Sequence, residues 1–235
     1  EHLIAKNGDA LHIYIEGDGV PGIDGRPSMD PTPRVPLALE LMYADSADTL
    51  YLGRPCYFNH YAQGQDPRCD SRLWTIARYS KVVIDDRSEL VLRHVSTRKT
   101  RQVVIIGYSG GGVIATMVAA SVACKQGIPT KLITLAANLD TERWAALHGY
   151  SPLTQSVNPF EDYVPCAAID QHHYAAGKDD NVPVSVVKAF TDKFGAPLTV
   201  LPDIDHACCW QKYWPQILLS IKERAFPHEL PAAHE

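Results

Sequence analysis

Apolar and polar residues along the chain follow two different periods, and the change from one to the other marks most of its elements. Leu11-His12-Ile13-Tyr14-Ile15-Glu16 alternates with period two, as a half-buried strand does. Short apolar runs at 49–52, 103–106, 131–135, 174–176 and 198–201 read as further strands. Between them, apolar residues at helical spacing predict helices over 36–44, 113–125, 141–148, 183–194 and 210–226, with one or two more within 72–95. Strand and helix alternate, which implies a mostly parallel twisted sheet with helices on both faces: an α/β fold arranged as a three-layer α/β/α sandwich. A short apolar piece at 3–5 precedes the turn signal Asn7-Gly8, which allows a hairpin with the strand at 11–16.

Two stretches break the pattern. Residues 20–34 carry Pro21, Gly22, Gly25, Pro27, Pro31 and Pro33, a composition that resists regular structure, and they read as a flap over about 20–35. Residues 150–165 carry Pro152, Asn158, Pro159 and Pro165, and form a small cap or side loop within about 141–166. Trp144, Tyr150, Phe160 and Tyr163 in that region could line an acyl or aromatic pocket or simply pack the loop. At 235 residues, 46% of them hydrophobic, the chain supplies one sizeable core and is short for two domains with a linker.

The segment richest in chemistry is Val103-Val104-Ile105-Ile106-Gly107-Tyr108-Ser109-Gly110-Gly111-Gly112-Val113, a β-branched run, one serine among glycines, then a helix former. G-x-S-x-G at a strand-to-helix turn holds the serine in a strained backbone, exposes its hydroxyl above the sheet edge and frees the next N–H for a developing oxyanion. A serine hydroxyl is a weak nucleophile, so an imidazole must take its proton and a carboxylate must orient that imidazole. His206 follows the strand at 198–201, in the loop before the last helix, where such a base belongs. His172 and His173 open the run 174–176 at its amino end and read as polar positions flanking a strand, away from the carboxyl edge where ligands bind.

Three carboxylates compete for the acid. Asp179 lies in Gly177-Lys178-Asp179-Asp180-Asn181-Val182-Pro183, between a strand and a helix, and is the first choice; Asp180 is its neighbour, and Asp140 follows the strand at 131–135. Asp205 adjoins His206 and reads as a loop residue. The second oxyanion donor should come from the loop after the strand at 11–16. In Gly17-Asp18-Gly19 the backbone N–H of Asp18 is the candidate beside that of Gly110, provided the Asp18 carboxylate turns away from the developing charge.

With Glu16-Gly17-Asp18-Gly19, Gly107-Tyr108-Ser109-Gly110-Gly111, the acid loop and Asp205-His206 in this order, the chain resembles the α/β-hydrolase superfamily over nearly its whole length. One departure is Glu16, where many relatives carry histidine before the oxyanion glycine. Tyr14-Ile15-Glu16-Gly17-Asp18-Gly19, Asp30-Pro31-Thr32-Pro33, Gly53-Arg54-Pro55-Cys56-Tyr57 and Ala137-Asn138-Leu139-Asp140 are similar to a group of bacterial exported or lipoprotein-type hydrolases. This resemblance implies export to the periplasm or cell envelope, and allows a lipid anchor upstream of Glu1. The expected activity is serine hydrolysis of an ester or thioester through an acyl-enzyme, with no metal or organic cofactor. Alternatives are a catalytically silent binding or envelope-associated protein on the same fold, or a peptidase or acyltransferase using the same three side chains.

Charge and cysteines refine the picture. A net charge of −5 gives no general attraction to nucleic acid, and no apolar run approaches the length of a membrane helix. The basic cluster Arg98-Lys99-Thr100-Arg101 reads as a solvated loop. Cys56 and Cys69 bracket a polar loop of the kind a disulfide ties. Cys124 and Cys166 read as small buried or free thiols, and Cys208-Cys209 as the start of a helix without zinc-site spacing.

Overall fold

The computed structural model describes residues 1–5, 10–58, 68–100, 102–224 and 226. In chain order its elements are β1 (His2–Ile4), β2 (Ala10–Ile15), β3 (Gly22–Ile23), β4 (Arg26–Pro27), α1 (Leu37–Tyr43), β5 (Asp48–Leu52), α2 (Lys81–Arg98), β6 (Gln102–Tyr108), α3 (Gly110–Gln126), β7 (Thr130–Leu135), α4 (Thr141–His148), α5 (Pro159–Asp162), β8 (Ile169–Ala176), α6 (Val184–Phe194), β9 (Leu198–Leu201) and α7 (Trp214–Glu223). Short 3₁₀ turns occupy Ser71–Trp74 and Trp210–Lys212.

Seven strands form one sheet in the order β1-β5-β2-β6-β7-β8-β9. All neighbours are parallel except β1, which pairs antiparallel with β5. The alternation read from β2 decides its two faces. Leu11, Ile13 and Ile15 join Val103 and Ile105 of β6 beneath α2 and α3, whereas Tyr14, Val104, Ile106 and Ile133 meet Leu37 and Leu41 of α1 and Trp214 and Ile217 of α7. Helix α3 is buried on most sides, from Val113 to Ala123, because it lies between the sheet and α2. The fold is therefore a three-layer α/β/α sandwich.

Several expectations need correction. The segment at 3–5 makes no hairpin with β2; its strand pairs with β5 instead, and Asn7-Gly8 lies outside the described residues. The flap is not wholly irregular, since β3 and β4 form a two-stranded ribbon, and α5 interrupts the loop at 150–165. Helix α2 begins only at Lys81, after a 3₁₀ turn whose Asp70 side chain accepts from the Arg72 N–H. His172 and His173 sit inside β8 rather than before it: backbone pairing with β7 continues to Ile169 although the side chains there are polar. Arg98 ends α2 and pairs with Asp48, while Arg101 lies outside the described residues.

Cysteine pairing exceeds the sequence reading. Cys56 and Cys69 are bonded, as their spacing suggests. Cys124 and Cys166 are not separate thiols, because α3 and the segment before β8 bring them together across 42 residues. Cys208 and Cys209 stand side by side immediately before the 3₁₀ turn.

Candidate active site

Parallel strands deliver their following loops to one edge, and the central strands here bring Gly17, Ser109, Asn138, Asp179 and His206 to the carboxyl edge of the sheet. Ser109 stands between β6 and α3 with φ 52° and ψ −126°, a conformation few side chains tolerate. Its N–H donates to Leu135 O at 2.9 Å and its carbonyl accepts from the Gly112 N–H at 2.9 Å, so the neighbouring strand β7 and the first turn of α3 fix the turn. Gly111 is required by close approach, because a β-carbon there would overlap the carbonyl oxygens of Ile15 and Glu16. The tight elbow thus depends on β2 and β6 being neighbours.

His206 Nε2 lies 3.0 Å from Ser109 Oγ, and its Nδ1 lies 2.7 Å from Asp179 Oδ2. The other Asp179 oxygen accepts from the backbone N–H groups of Asn181 at 2.9 Å and Val182 at 2.7 Å, so the carboxylate is fixed from behind. Asp179 is buried and His206 only partly exposed. The histidine loop is held at several points. Tyr108 Oη and Trp210 Nε1 donate to the His206 carbonyl, the Tyr108 ring lies 5.2 Å from the imidazole, and Asp205 Oδ1 accepts from the N–H groups of Ala207 and Cys208. Lys178 N–H donates to Ile204 O at 3.0 Å, which ties the acid loop to the histidine loop.

The competing carboxylates are elsewhere occupied. Asp140 caps α4 by accepting from the Arg143 N–H at 3.1 Å and also receives the Asn158 amide. Asp180 is exposed. His173 is buried against Thr134 and Gln171, and His172 reaches Thr199. Of the aromatic residues considered for a pocket, Trp144 and Tyr150 line the cleft, whereas Tyr163 packs on Phe190 and Phe194.

The loop after β2 packs closely on the serine: a β-carbon at Gly17 would be 3.3 Å from Ser109 Cβ. The Asp18 side chain is clamped by Arg54 at 2.9 Å, Arg78 at 2.9 Å and Tyr79 Oη at 2.5 Å. Tyr57 Oη donates to the Asp18 carbonyl at 2.8 Å. Burial opposes ionisation of Asp18, but the guanidiniums of Arg78 and Arg54 outweigh it and hold the carboxyl below its ordinary range. Its charge is quenched in place. A β-carbon at Gly110 would collide with this carboxylate, so the clamp also shapes the first residue of α3.

Arg54, Arg78, Tyr79 and Tyr57 were not singled out as site residues by the sequence. Their partners lie 36, 60, 61 and 39 residues away, beyond any local period, although a carboxylate in an oxyanion-type loop signals that cations must neutralise it. Glu16 is similarly committed. It is buried, accepts from the N–H groups of Gly17 and Ala38 at 3.1 and 3.0 Å, and receives Tyr51 Oη at 3.4 Å. Desolvation raises its pKa against the pull of these donors. Glu16 is thus a strut from the loop after β2 to α1.

Ser109 and His206 open into a cleft of about 830 Å³. Ile76, Trp144, Leu153 and Val182 line it, and the flap contributes Val20, Pro21, Arg26 and Arg34. Among the described residues no cluster of His, Cys, Asp and Glu is suited to a metal ion.

Comparison with solved structures defines the class of fold. A protein of unknown function from Agrobacterium tumefaciens, named as a candidate α/β hydrolase, superposes with a TM-score of 0.63 at 14% identity, covering 97% of this chain and 93% of its own. A candidate esterase from Staphylococcus aureus gives 0.60 at 16% identity, with 94% and 78% covered. A serine hydrolase without a lid from Xanthomonas campestris gives 0.54 at 13% identity, with 93% and 81% covered. No protein-family model and no curated protein matches the sequence. The chain has the α/β-hydrolase fold.

Proposed function

We propose that the protein is a serine hydrolase that cleaves a carboxylic ester or thioester through an acyl-enzyme. The observation that carries the reading is the continuous relay from Ser109 Oγ to His206 at 3.0 Å and from His206 to Asp179 at 2.7 Å, on a strained elbow that lines the cleft. In the first half-reaction Ser109 Oγ bonds to the carbonyl carbon as its proton passes to His206 Nε2. The C–O or C–S bond then breaks and the leaving alcohol or thiol takes that proton. In the second half a water attacks the acyl carbon as His206 accepts its proton; the acyl C–Oγ bond then breaks, the carboxylic acid leaves and the proton returns to Ser109 Oγ. Asp179 holds the ring in the required tautomer, and the N–H groups of Gly110 and Asp18 stabilise the tetrahedral oxyanion in each half. The side-chain clamp on Asp18 supports its part in this scheme, because an ionised carboxylate free to swing towards the oxyanion would repel it.

The esterase and serine-hydrolase names of the structural neighbours favour this chemistry on the same fold. Disulfides at Cys56–Cys69 and Cys124–Cys166 support an oxidising compartment, hence export. No helix among the described residues is long and apolar enough to cross a membrane. The test is active-site labelling. A fluorophosphonate should modify Ser109, located by peptide mass spectrometry, and His206→Ala should abolish the adduct. Folded wild-type protein left unmodified, and inactive on an ester panel graded by acyl length, would exclude the reading.

A further inference from the structure

The cleft is electrically asymmetric in a way that ester hydrolysis alone does not require. Its two acidic lining residues are both committed: Asp18 to Arg54 and Arg78, and Glu16 to backbone donors beneath the surface. Arg26 and Arg34 also line the cleft, both are exposed, and neither has a carboxylate partner among the described residues. The segment carrying them is anchored. Val20 N–H donates to Pro31 O at 3.0 Å, Ser28 N–H donates to Pro21 O at 3.0 Å, and the buried Trp74 indole donates to Ser28 O at 3.1 Å. Ile76, Trp144 and Leu153 of the same cleft offer apolar surface.

From this arrangement we infer that the substrate is an anionic ester, with one charged group, a carboxylate or phosphate, held by Arg26 and Arg34 while its apolar part lies against Trp144 and Leu153. The inference rests on the hydrolase reading and names the substrate class for the same site. Two exposed planar guanidiniums lining one cleft suit such a group, through charge-assisted hydrogen bonds and by concentrating anions from solution. The net charge of −5 makes this local excess stand out, since the surface as a whole repels anions.

The experiment compares charged and neutral isosteres. In one pair, para-nitrophenyl hydrogen glutarate is set against para-nitrophenyl 5-methylhexanoate, so that the charge lies on the acyl side. In the other, para-acetoxybenzoate is set against para-isopropylphenyl acetate, with the charge on the alcohol side. The readout is the ratio of kcat/KM within each pair, for wild type and for Arg26→Gln/Arg34→Gln, so that intrinsic reactivity cancels. In at least one pair the wild-type ratio should exceed that of the double variant about tenfold, a charge-assisted hydrogen bond's worth, and the excess should shrink in salt. Arg72→Gln, which removes an exposed arginine paired with Asp70, should leave the ratios unchanged. Equal ratios in wild type and double variant for both pairs, with Ser109 labelled by fluorophosphonate, would overturn the inference and leave the hydrolase intact. If Ser109 is not labelled, the hydrolase reading is what has failed. Calorimetric binding to Ser109→Ala of monomethyl glutarate against methyl 5-methylhexanoate then decides the anion claim: tighter binding of the charged member sustains it, and equal binding ends it.

Discussion

At the scale of single residues, Asp179 and Asp140 show how two carboxylates on neighbouring loops come to different uses. Both follow a strand at the carboxyl edge, and the sequence left them in competition. What separates them is the next turn of chain. Asp140 turns its oxygen onto the Arg143 N–H in the first turn of α4, whereas Asp179 meets Asn181 and Val182 with one oxygen and presents the other to His206. Asp179→Asn should therefore lower kcat roughly a thousand-fold or more, since an amide favours the wrong imidazole tautomer. Asp140→Asn should cost well under tenfold, because asparagine also caps a helix. Steady-state kinetics on one ester checks both, and a larger loss at Asp140 would reverse the assignment. Ser109 and its glycines were legible because steric demands at an elbow act over a few adjacent residues. The clamp on Asp18 was not, because it is assembled from separate segments.

At the scale of elements, strands and helices were legible where burial is two-sided or strongly periodic, and less so where polar side chains sit in a paired backbone. Strand β8 illustrates the failure: Asp170, Gln171 and His172 look like loop, yet their backbone groups pair with β7 and so satisfy hydrogen bonds that burial would otherwise leave open. Disulfide Cys124–Cys166 was missed for a related reason. One cysteine lies on an apolar helix and the other in a turn-rich segment 42 residues on, and only the packing of α3 beside β7 and β8 makes them neighbours. Closing a loop of that length restricts the unfolded chain by about 4 kcal/mol. Cys124→Ala/Cys166→Ala should therefore lower the urea midpoint markedly while leaving kcat near wild type, because neither cysteine lines the cleft. The clamp makes the opposite prediction for a loop that does line it. Asp18→Asn leaves Arg54 and Arg78 without their counter-charge, so it should cost about 3–5 kcal/mol of stability and also slow turnover by loosening the loop that carries the proposed oxyanion donor. Denaturation and kinetics on the same variant check the two effects together.

At the scale of the whole molecule, stability depends on protons held differently by the folded and unfolded chains, and here the buried groups disagree in sign. His173 is held down to about 3 by burial, against 6.5 for a free imidazole, so between those values the unfolded chain binds a proton that the folded chain refuses. Its contribution is present above pH 6.5 and lost as the pH falls towards 3. Asp18 and Asp45 act in the same direction at lower pH: burial raises both, but for Asp18 the two guanidiniums, and for Asp45 the hydrogen bonds from His12 and Tyr14, leave the carboxyl depressed below 3.8. Their stabilisation is present above 3.8 and lost as the pH falls through the depressed values. Glu16 opposes them, since desolvation raises it above 4.5 and the folded chain there binds the extra proton. From 4.5 up to that raised value, Glu16 makes stability fall as the pH rises. Unfolding free energy measured in urea at intervals from pH 4 to 7 should therefore climb with pH, by up to about 1.4 kcal/mol per unit from a single group such as His173. In His173→Gln the climb should flatten, whatever the substitution costs in packing, because a cavity or a lost contact shifts the curve without tilting it. In Glu16→Gln the same curve should steepen just above pH 4.5. An unchanged slope in His173→Gln would mean that the imidazole inside the sheet takes up its proton without unfolding the protein.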